Sequence, residues 1–584
     1  MRGARTSMTI ADLARRLDRL EAMSSRHQLV RTLADLYAAC SEDEVGLVTY
    51  LVQGRLAPFF VPVEIGLGER LVLEALAGAF GAPADGVRDR YRQLGDLGLL
   101  AEELARGRSG EPLPVVVVHR RLMEIAAVRG TGAVRRRLEM LVDLLRRLDP
   151  TSAKHLVRIA LGRLRLGVGD ATVLDALSLA RRGDGSLRPS LEAAYNRTSD
   201  LGLIAQTLWA EGESGVEGLR IEVGRPLRCQ LAERLPDPAA VIQKLGLVGV
   251  QPKYDGFQVQ IHRDVERVRI FSRNLEDLTP MFPELVAAAV ELSVRRVILD
   301  GEAIGYNPAS EEYLPFQETT RRRRKHGIEE LARQVPLRAF VFDIMYRDGT
   351  DLTPLPYERR YRILQEVVRG SEVLLLAPLT RTDSVEVLTR ELLDNISRGL
   401  EGVVAKRLDS PYQAGARNFN WVKLKRSSSG QLTDTVDVVL LGYYHGRGKR
   451  AELGAGALLA GVYDPDRDVF VTVTRIGTGL SDAGWREVHQ RGEALRVDHR
   501  PARVDSLLVP DVWLQPALVV EVRADEITLS PVHTCGKVGD RPGLALRFPR
   551  IVSFRSADKR PEDATTVREI EEMYRQQRRR GVPA

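Results

Sequence analysis

The chain has 584 residues, too many for one hydrophobic core, so two to four domains are expected. Its apolar share of 44% and charged share of 28% are those of a globular chain held together by burial, and no run of about 18 uncharged apolar residues is present to cross a membrane. A net charge of +7, carried mostly by arginine, makes nucleic acid the first partner to test.

Cys40, Cys229 and Cys535 lie too far apart for a disulfide framework or a C-x-x-C zinc pair, and each reads as a small buried residue in a reducing compartment. The N-terminus M-R-G-A-R-T-S-M-T-I-A-D-L has no apolar signal core, so the cytoplasm is the expected location, and Met1 and Met8 are both candidate starts.

From Ile10 to about Leu208 apolar residues recur every three or four positions, as in Ile10, Leu13, Leu17 and Leu20 and again in Leu138, Leu141, Leu145 and Leu148. This predicts an all-α domain over 1–215. Around Gly224-Arg225-Pro226 the period changes to short Val/Ile/Leu runs mixed with helical segments, which predicts an α+β domain over 216–426. S-S-S-G at 427–430 reads as a linker. Strands dominate after it, as in T-V-D-V-V-L-L-G-Y-Y and V-F-V-T-V-T-R-I-G, and a polar helix, T-T-V-R-E-I-E-E-M-Y-R-Q-Q, follows. That pattern predicts a small β-barrel domain over 427–584. The basic run R-R-R-R-K-H at 321–326 is either a solvated loop or a phosphate contact.

The stretch V-G-V-Q-P-K-Y-D-G-F-Q-V-Q-I-H, 248–262, sets Lys253 in a turn between two alternating strands, with Asp255 able to hold the backbone and Gly256 able to take positive φ. A lysine attacks phosphorus only as the free amine, so it needs cationic neighbours or burial to lower its pKa. K-x-D-G alone is a weak signal, and an exposed hairpin lysine is the bland alternative. An ordered series of downstream motifs strengthens it: F-S-R-N-L-E-D-L-T with Arg273, L-D-G-E-A-I with Glu302, V-F-D-I-M-Y with Phe342, E-G-V-V-A-K with Glu401 and Lys406, and A-R-N-F-N-W-V-K-L-K with Arg417, Lys423 and Lys425.

This series resembles the covalent nucleotidyltransferases, specifically the ATP-dependent DNA ligases of archaeal and eukaryotic type. The resemblance covers nearly the whole chain. Q-G-R-L-A-P-F-F, R-L-R-L-G-V-G-D and A-Y-N-R-T-S-D-L-G are similar to that family's helical DNA-binding domain, and D-E-I-T-L-S-P-V-H-T, L-R-F-P-R-I and D-K-R-P-E-D-A-T-T to its OB-fold domain. It implies a multidomain protein: an all-α DNA-binding domain, an α+β nucleotidyltransferase (adenylation) domain and a β-barrel OB-fold domain. It also implies ATP and Mg²⁺ as cofactors and nicked double-stranded DNA as partner. A sliding clamp is a second candidate partner, the chain is expected to be a monomer, and no membrane partner is expected. The implied reaction has three steps: Lys253 takes AMP from ATP, AMP passes to the 5′-phosphate of a nick, and the 3′-hydroxyl displaces it to form a 3′-5′ phosphodiester bond. DNA replication, repair and recombination are the processes it would serve.

By the same resemblance Arg273 and Arg417 contact nucleotide or phosphate, Glu302 contacts the ribose and shares metal binding with Glu401, and Phe342 packs on the adenine. Lys423 and Lys425, two apart on an expected strand, face one side and would neutralise the α-phosphate and help keep Lys253 unprotonated. Asp255, Gly256 and Lys406 support the site. Glu302 and Glu401, read at strand ends with no lysine within a helical turn, suit Mg²⁺ or a ribose hydroxyl.

Three positions depart from the family pattern. Gln251 stands where Glu is usual, and its amide could still read an adenine edge. Gln258 stands where Arg is usual and cannot supply a guanidinium charge, so lower activity or compensation by another Arg is expected. Arg555 lies three residues before Asp558 rather than two. The competing readings are a nick-binding protein impaired in adenylation and an RNA ligase or capping-type enzyme. The helical domain disfavours the latter. An NAD-dependent ligase would need a cysteine zinc module, and G-R-G-K at 446–449 is no Walker loop.

Overall fold

The computed structural model describes residues 7–164, 166–307, 312–314, 316–324, 327–398, 400–425, 435–446, 454–477, 479–556 and 558–579. The linker expected at 427–430, residues 447–449 of G-R-G-K, and Lys325 and His326 of the basic run lie outside them.

Helical spacing is realised from the first element onward. In Ile10–Glu21 the residues Ile10, Leu13, Leu17 and Leu20 are buried, and Thr9 closes a capping box with Asp12. Helices continue to Gly212–Gly218, and their buried stripes make one core. A buried ionic cluster ties helices of this unit together: Lys154 Nζ lies 2.8 Å from Asp18 and 2.9 Å from Glu21, and Arg158 bonds Glu21 and Asp96. His155 joins Asp18 at 2.7 Å, bringing three metal-capable side chains together, but Lys154 and Arg158 already neutralise the two carboxylates.

The second compact unit contains the sheets. Its first twelve strands are β1 (Leu231–Arg234), β2 (Val248–Lys253), β3 (Phe257–Asp264), β4 (Arg267–Ser272), β5 (Arg296–Asn307), β6 (Glu312–Tyr313), β7 (Leu337–Arg347), β8 (Thr350–Asp351), β9 (Leu374–Leu376), β10 (Thr380–Thr382), β11 (Gly402–Arg407) and β12 (Arg417–Lys425). They form two sheets, one ordered β1-β12-β11-β2-β10 and one with the backbone β4-β3-β5-β7-β8. In β3 the alternation expected from sequence is kept: Phe257, Val259 and Ile261 enter one core. The opposite, polar face is buried as well. Gln260 Oε1 accepts from the Leu227 N–H at 2.8 Å, and His262 Nδ1 accepts from the Gly224 N–H at 3.0 Å. Burial pushes His262 down to about 3, so it stays neutral.

C-terminal to these, β13 (Val436–His445), β14 (Ala455–Asp464) and β15 (Val469–Ile476) pair antiparallel in a further, larger sheet, with Trp485 in its core. The helix Val567–Arg579 comes after that sheet in the chain. Among the described residues no helix is long and apolar enough to cross a membrane.

Candidate active site

β2 ends on Lys253 in one sheet and β3 starts on Phe257 in the other, so the turn between them bridges a cleft. The cleft encloses a cavity of about 250 Å³. Gly256 is required there for a different reason than the turn suggested: its φ is not positive, but a Cβ would collide with the Ala303 carbonyl oxygen of β5.

The Lys253 ammonium pairs with Glu401, whose own N–H donates to the Lys253 carbonyl at 3.2 Å. Lys425 Nζ is 3.5 Å from the same carboxylate. Glu302 sits inside β5, not at a strand end as expected, and accepts from the Gly256 N–H at 3.0 Å. Burial pushes the Glu302 carboxyl up to about 8 and raises Asp255 as well. For Lys253 burial acts downward, but Glu401 and Glu302 outweigh it and hold the amine above its ordinary value. Glu401 itself, though half-buried, is held far below the usual carboxylate range by Lys253 and Lys425.

The expectation that Lys423 and Lys425 keep Lys253 unprotonated is therefore not met in this arrangement, because both are paired with carboxylates. Lys423 Nζ lies 3.2 Å and Arg417 Nη1 2.7 Å from Oε1 of Glu569, on the helix Val567–Arg579. Burial still pushes Lys423 down to about 7. Glu569 is placed by its own sequence: T-V-R-E is a capping box, in which its other oxygen accepts from the Thr566 N–H at 3.0 Å. The three-residue spacing of Arg555 and Asp558 gives a side-chain pair at 2.7 Å, and Lys559 pairs with Asp437; all four line the cavity.

Phe342 of β7 is half-buried on the cavity wall, and the Trp421 ring meets it edge-on with centroids 5.9 Å apart. Lys406 Nζ lies 4.5 Å from the Phe342 ring and 3.9 Å from the Trp421 ring, and burial pushes its amine down to about 7. Gln251 is committed to protein partners rather than free to read a base: Nε2 donates to the Ala377 carbonyl at 3.2 Å and Oε1 accepts from the Tyr357 hydroxyl at 2.8 Å. A glutamate here would set a carboxylate oxygen against that carbonyl, which accounts for the amide. Gln258 donates to Asp300 at 3.0 Å, and the Tyr412 hydroxyl donates to the other Asp300 oxygen at 3.0 Å. Burial raises this carboxyl to about 6.

Three buried donors on the wall, Gln230 Nε2, Arg273 Nε and Trp421 Nε1, have no acceptor among the described residues. Buried donors are rarely left so unless a ligand supplies oxygen or nitrogen atoms. Gln230, Asp300, Tyr357, Trp421 and Glu569 were not singled out from sequence. Asp300 belongs to L-D-G-E and Glu569 to a capping box, so both carried a local signal; Tyr357 carried none.

Comparison with known proteins agrees across the chain. Residues 8–178 match the family described as DNA ligase N terminus, 229–425 the ATP dependent DNA ligase domain, and 451–559 the ATP dependent DNA ligase C terminal region. A probable DNA ligase of Dictyoglomus turgidum is 46% identical over 98% of this chain and 99% of its own length. DNA ligase 2 of Thermofilum pendens is 40% identical over 99% of each chain. A solved structure of mycobacterial DNA ligase D complexed with ATP and MES matches 58% of this chain and 97% of that chain at 25% identity, with a TM-score of 0.34. The chain belongs to the ATP-dependent DNA ligase family.

Proposed function

We propose that this ligase seals nicks in duplex DNA through a phosphoramide of AMP on Lys253, in the cavity bridged by the β2–β3 turn. The observation that carries this reading is the Lys253 amine, set on the turn between the two sheets and paired with Glu401, in a cavity whose wall presents unpaired donors and paired cations. Phosphoryl transfer needs little beyond position and charge neutralisation, and these groups supply both. The Lys253 nitrogen forms a bond to the α-phosphorus of ATP while the bond to pyrophosphate breaks. Burial favours the free amine and Glu401 opposes it, so Lys425, the alternative partner of Glu401, helps release it. Arg417 and Lys423 meet the α-phosphate, Arg555 and Lys559 the departing phosphates, Arg273 the nucleotide, and Phe342 the base.

Glu302 and Glu401 offer the carboxyl oxygens that Mg²⁺ takes, and the Glu302 carboxyl, which burial holds up at about 8, would give up its proton to an ion bound there. When bound, such an ion supplies neutralisation of phosphate charge. The C-terminal sheet is read as an OB-fold, and the helical unit as a binder of nicked DNA whose arginines meet backbone phosphates. Monomeric action in the cytoplasm completes the reading.

Labelled ATP with Mg²⁺ should give an acid-stable AMP adduct that is abolished in Lys253→Ala. An adduct that survives this substitution refutes the assignment of the nucleophile. Binding of nicked DNA by the unaltered chain without any adduct refutes the enzymatic reading.

A further inference from the structure

Tyr357 lies outside the cavity wall, yet three cavity groups converge on its hydroxyl. It opens the helix Tyr357–Val367 and is fully buried. Its backbone N–H donates to the Ser410 carbonyl at 2.8 Å, and Arg360, one turn on, forms a fully buried pair with Asp343 of β7 at 2.8 Å. The side chain is thus anchored at its base to the strand that carries Phe342.

The Tyr357 oxygen is 2.8 Å from Gln251 Oε1 and 3.0 Å from the Phe342 carbonyl oxygen. One hydroxyl carries one proton and can donate to one of them at a time. Lys406 resolves this competition: its Nζ donates to the Phe342 carbonyl at 3.3 Å and lies 3.5 Å from the Tyr357 oxygen. With that carbonyl served by the amine, the phenol proton goes to the shorter contact, Gln251. The amine keeps donor hydrogens whether charged or neutral, so the division holds in both states. The Gln251 amide is then fixed at both ends, by Tyr357 and by the Ala377 carbonyl, which also accepts from the Tyr361 hydroxyl at 2.9 Å.

We infer that Tyr357 is a positioning residue for nucleotide choice: through Gln251 on β2 and Phe342 on β7 it sets the spacing and tilt of the base-binding side of the cavity, with Lys406 as its partner. The inference rests on the reading of Phe342 as the base-facing ring. Gln251 and Phe342 belong to different sheets, so a single hydroxyl between them ties together the two walls against which a purine would lie. Without it Gln251 Oε1 becomes a buried acceptor lacking its donor, and the amide is free to rotate.

The test is formation of the AMP or GMP adduct on Lys253 by the full chain with labelled ATP or GTP. Tyr357→Phe keeps the ring against Lys406, 4.6 Å away, and removes only the hydroxyl. The KM for ATP should rise about tenfold, the maximal rate should stay within about twofold, and the preference for ATP over GTP should fall by a similar factor to the KM change. Lys406→Met, which leaves the Phe342 carbonyl competing again for the phenol proton, should move KM and preference in the same direction and serves if Tyr357→Phe does not fold. Phe342→Ala separates the role of Tyr357 from that of the ring. If it leaves KM and preference unchanged, the base-facing reading fails and the inference falls with it. If it moves both while Tyr357→Phe and Lys406→Met move neither, or lower only thermal stability and maximal rate, the role of Tyr357 is overturned.

Discussion

Gln258→Arg restores the guanidinium that the family pattern carries, and the structure states what it would meet. Asp300 is fully buried against two neutral donors, Gln258 and Tyr412, and its carboxyl is raised from the ordinary 3.8 to about 6. The folded chain therefore binds this proton more tightly than the unfolded chain, so stability falls as pH rises from 3.8 towards 6. The full penalty above pH 6 is about 3 kcal/mol, of which about 1.4 kcal/mol accrues between pH 5 and pH 7.5. An arginine at 258 would pair with Asp300 and hold it ionised throughout that range, removing the slope. Burying the guanidinium costs several kcal/mol, so the variant can be more or less stable at any single pH. The difference in unfolding free energy, variant minus parent, should nevertheless grow by about 1.4 kcal/mol from pH 5 to pH 7.5, because other titrations are common to both chains. Urea unfolding at the two pH values measures it. A difference that is flat, or that shrinks with pH, refutes the assignment of Asp300 as the titrating partner. The same variant should form the AMP adduct faster if the missing charge limits the parent; an unchanged rate means that Arg273 or another cation already supplies it.

Glu401→Gln removes the largest group holding the Lys253 amine up, so the acid limb of the adduct-formation pH profile should move to lower pH, even if its height drops. Glu569→Gln keeps a hydrogen-bonding side chain but takes away the charge paired with Lys423 and Arg417; the KM for ATP should fall about tenfold, as read from initial rates of adduct formation, since phosphate competes for the same cations. Gly402→Ala places a Cβ against the Leu424 carbonyl oxygen at φ 145°, and urea unfolding should register a loss of about 2–4 kcal/mol. Affinity for nicked duplex DNA should drop steeply between 50 and 200 mM salt, roughly a thousandfold or more, if phosphate contacts dominate, and a flat titration would reject that reading.

Periodicity and ordered motifs carried far in this chain because they are local. The stripe Ile10, Leu13, Leu17 and Leu20 states a buried helix face, and the alternation from Phe257 to Ile261 states a strand, since each side chain's direction follows from its own backbone. The same alternation misleads at Gln260 and His262, whose polar face is buried by the segment around Gly224–Leu227. Nothing in β3 announces that cover.

The amino-acid sequence by itself determined the family, the order of helical and strand-rich regions, and Lys253 as the amine to examine, because motif order survives without knowledge of contacts. Only the tertiary structure decided the electrostatics. Glu401, Glu302 and Glu569 lie between 49 and 316 residues from Lys253, yet Glu401 pairs with it and Glu569 with the cations beside it. Charge acts through space, and a pKa depends on burial and on neighbours within a few ångströms. For that reason the amine expected to be free is held protonated, the amide expected to read a base is held by Tyr357, and the glycine expected to turn the chain instead lets β5 pass.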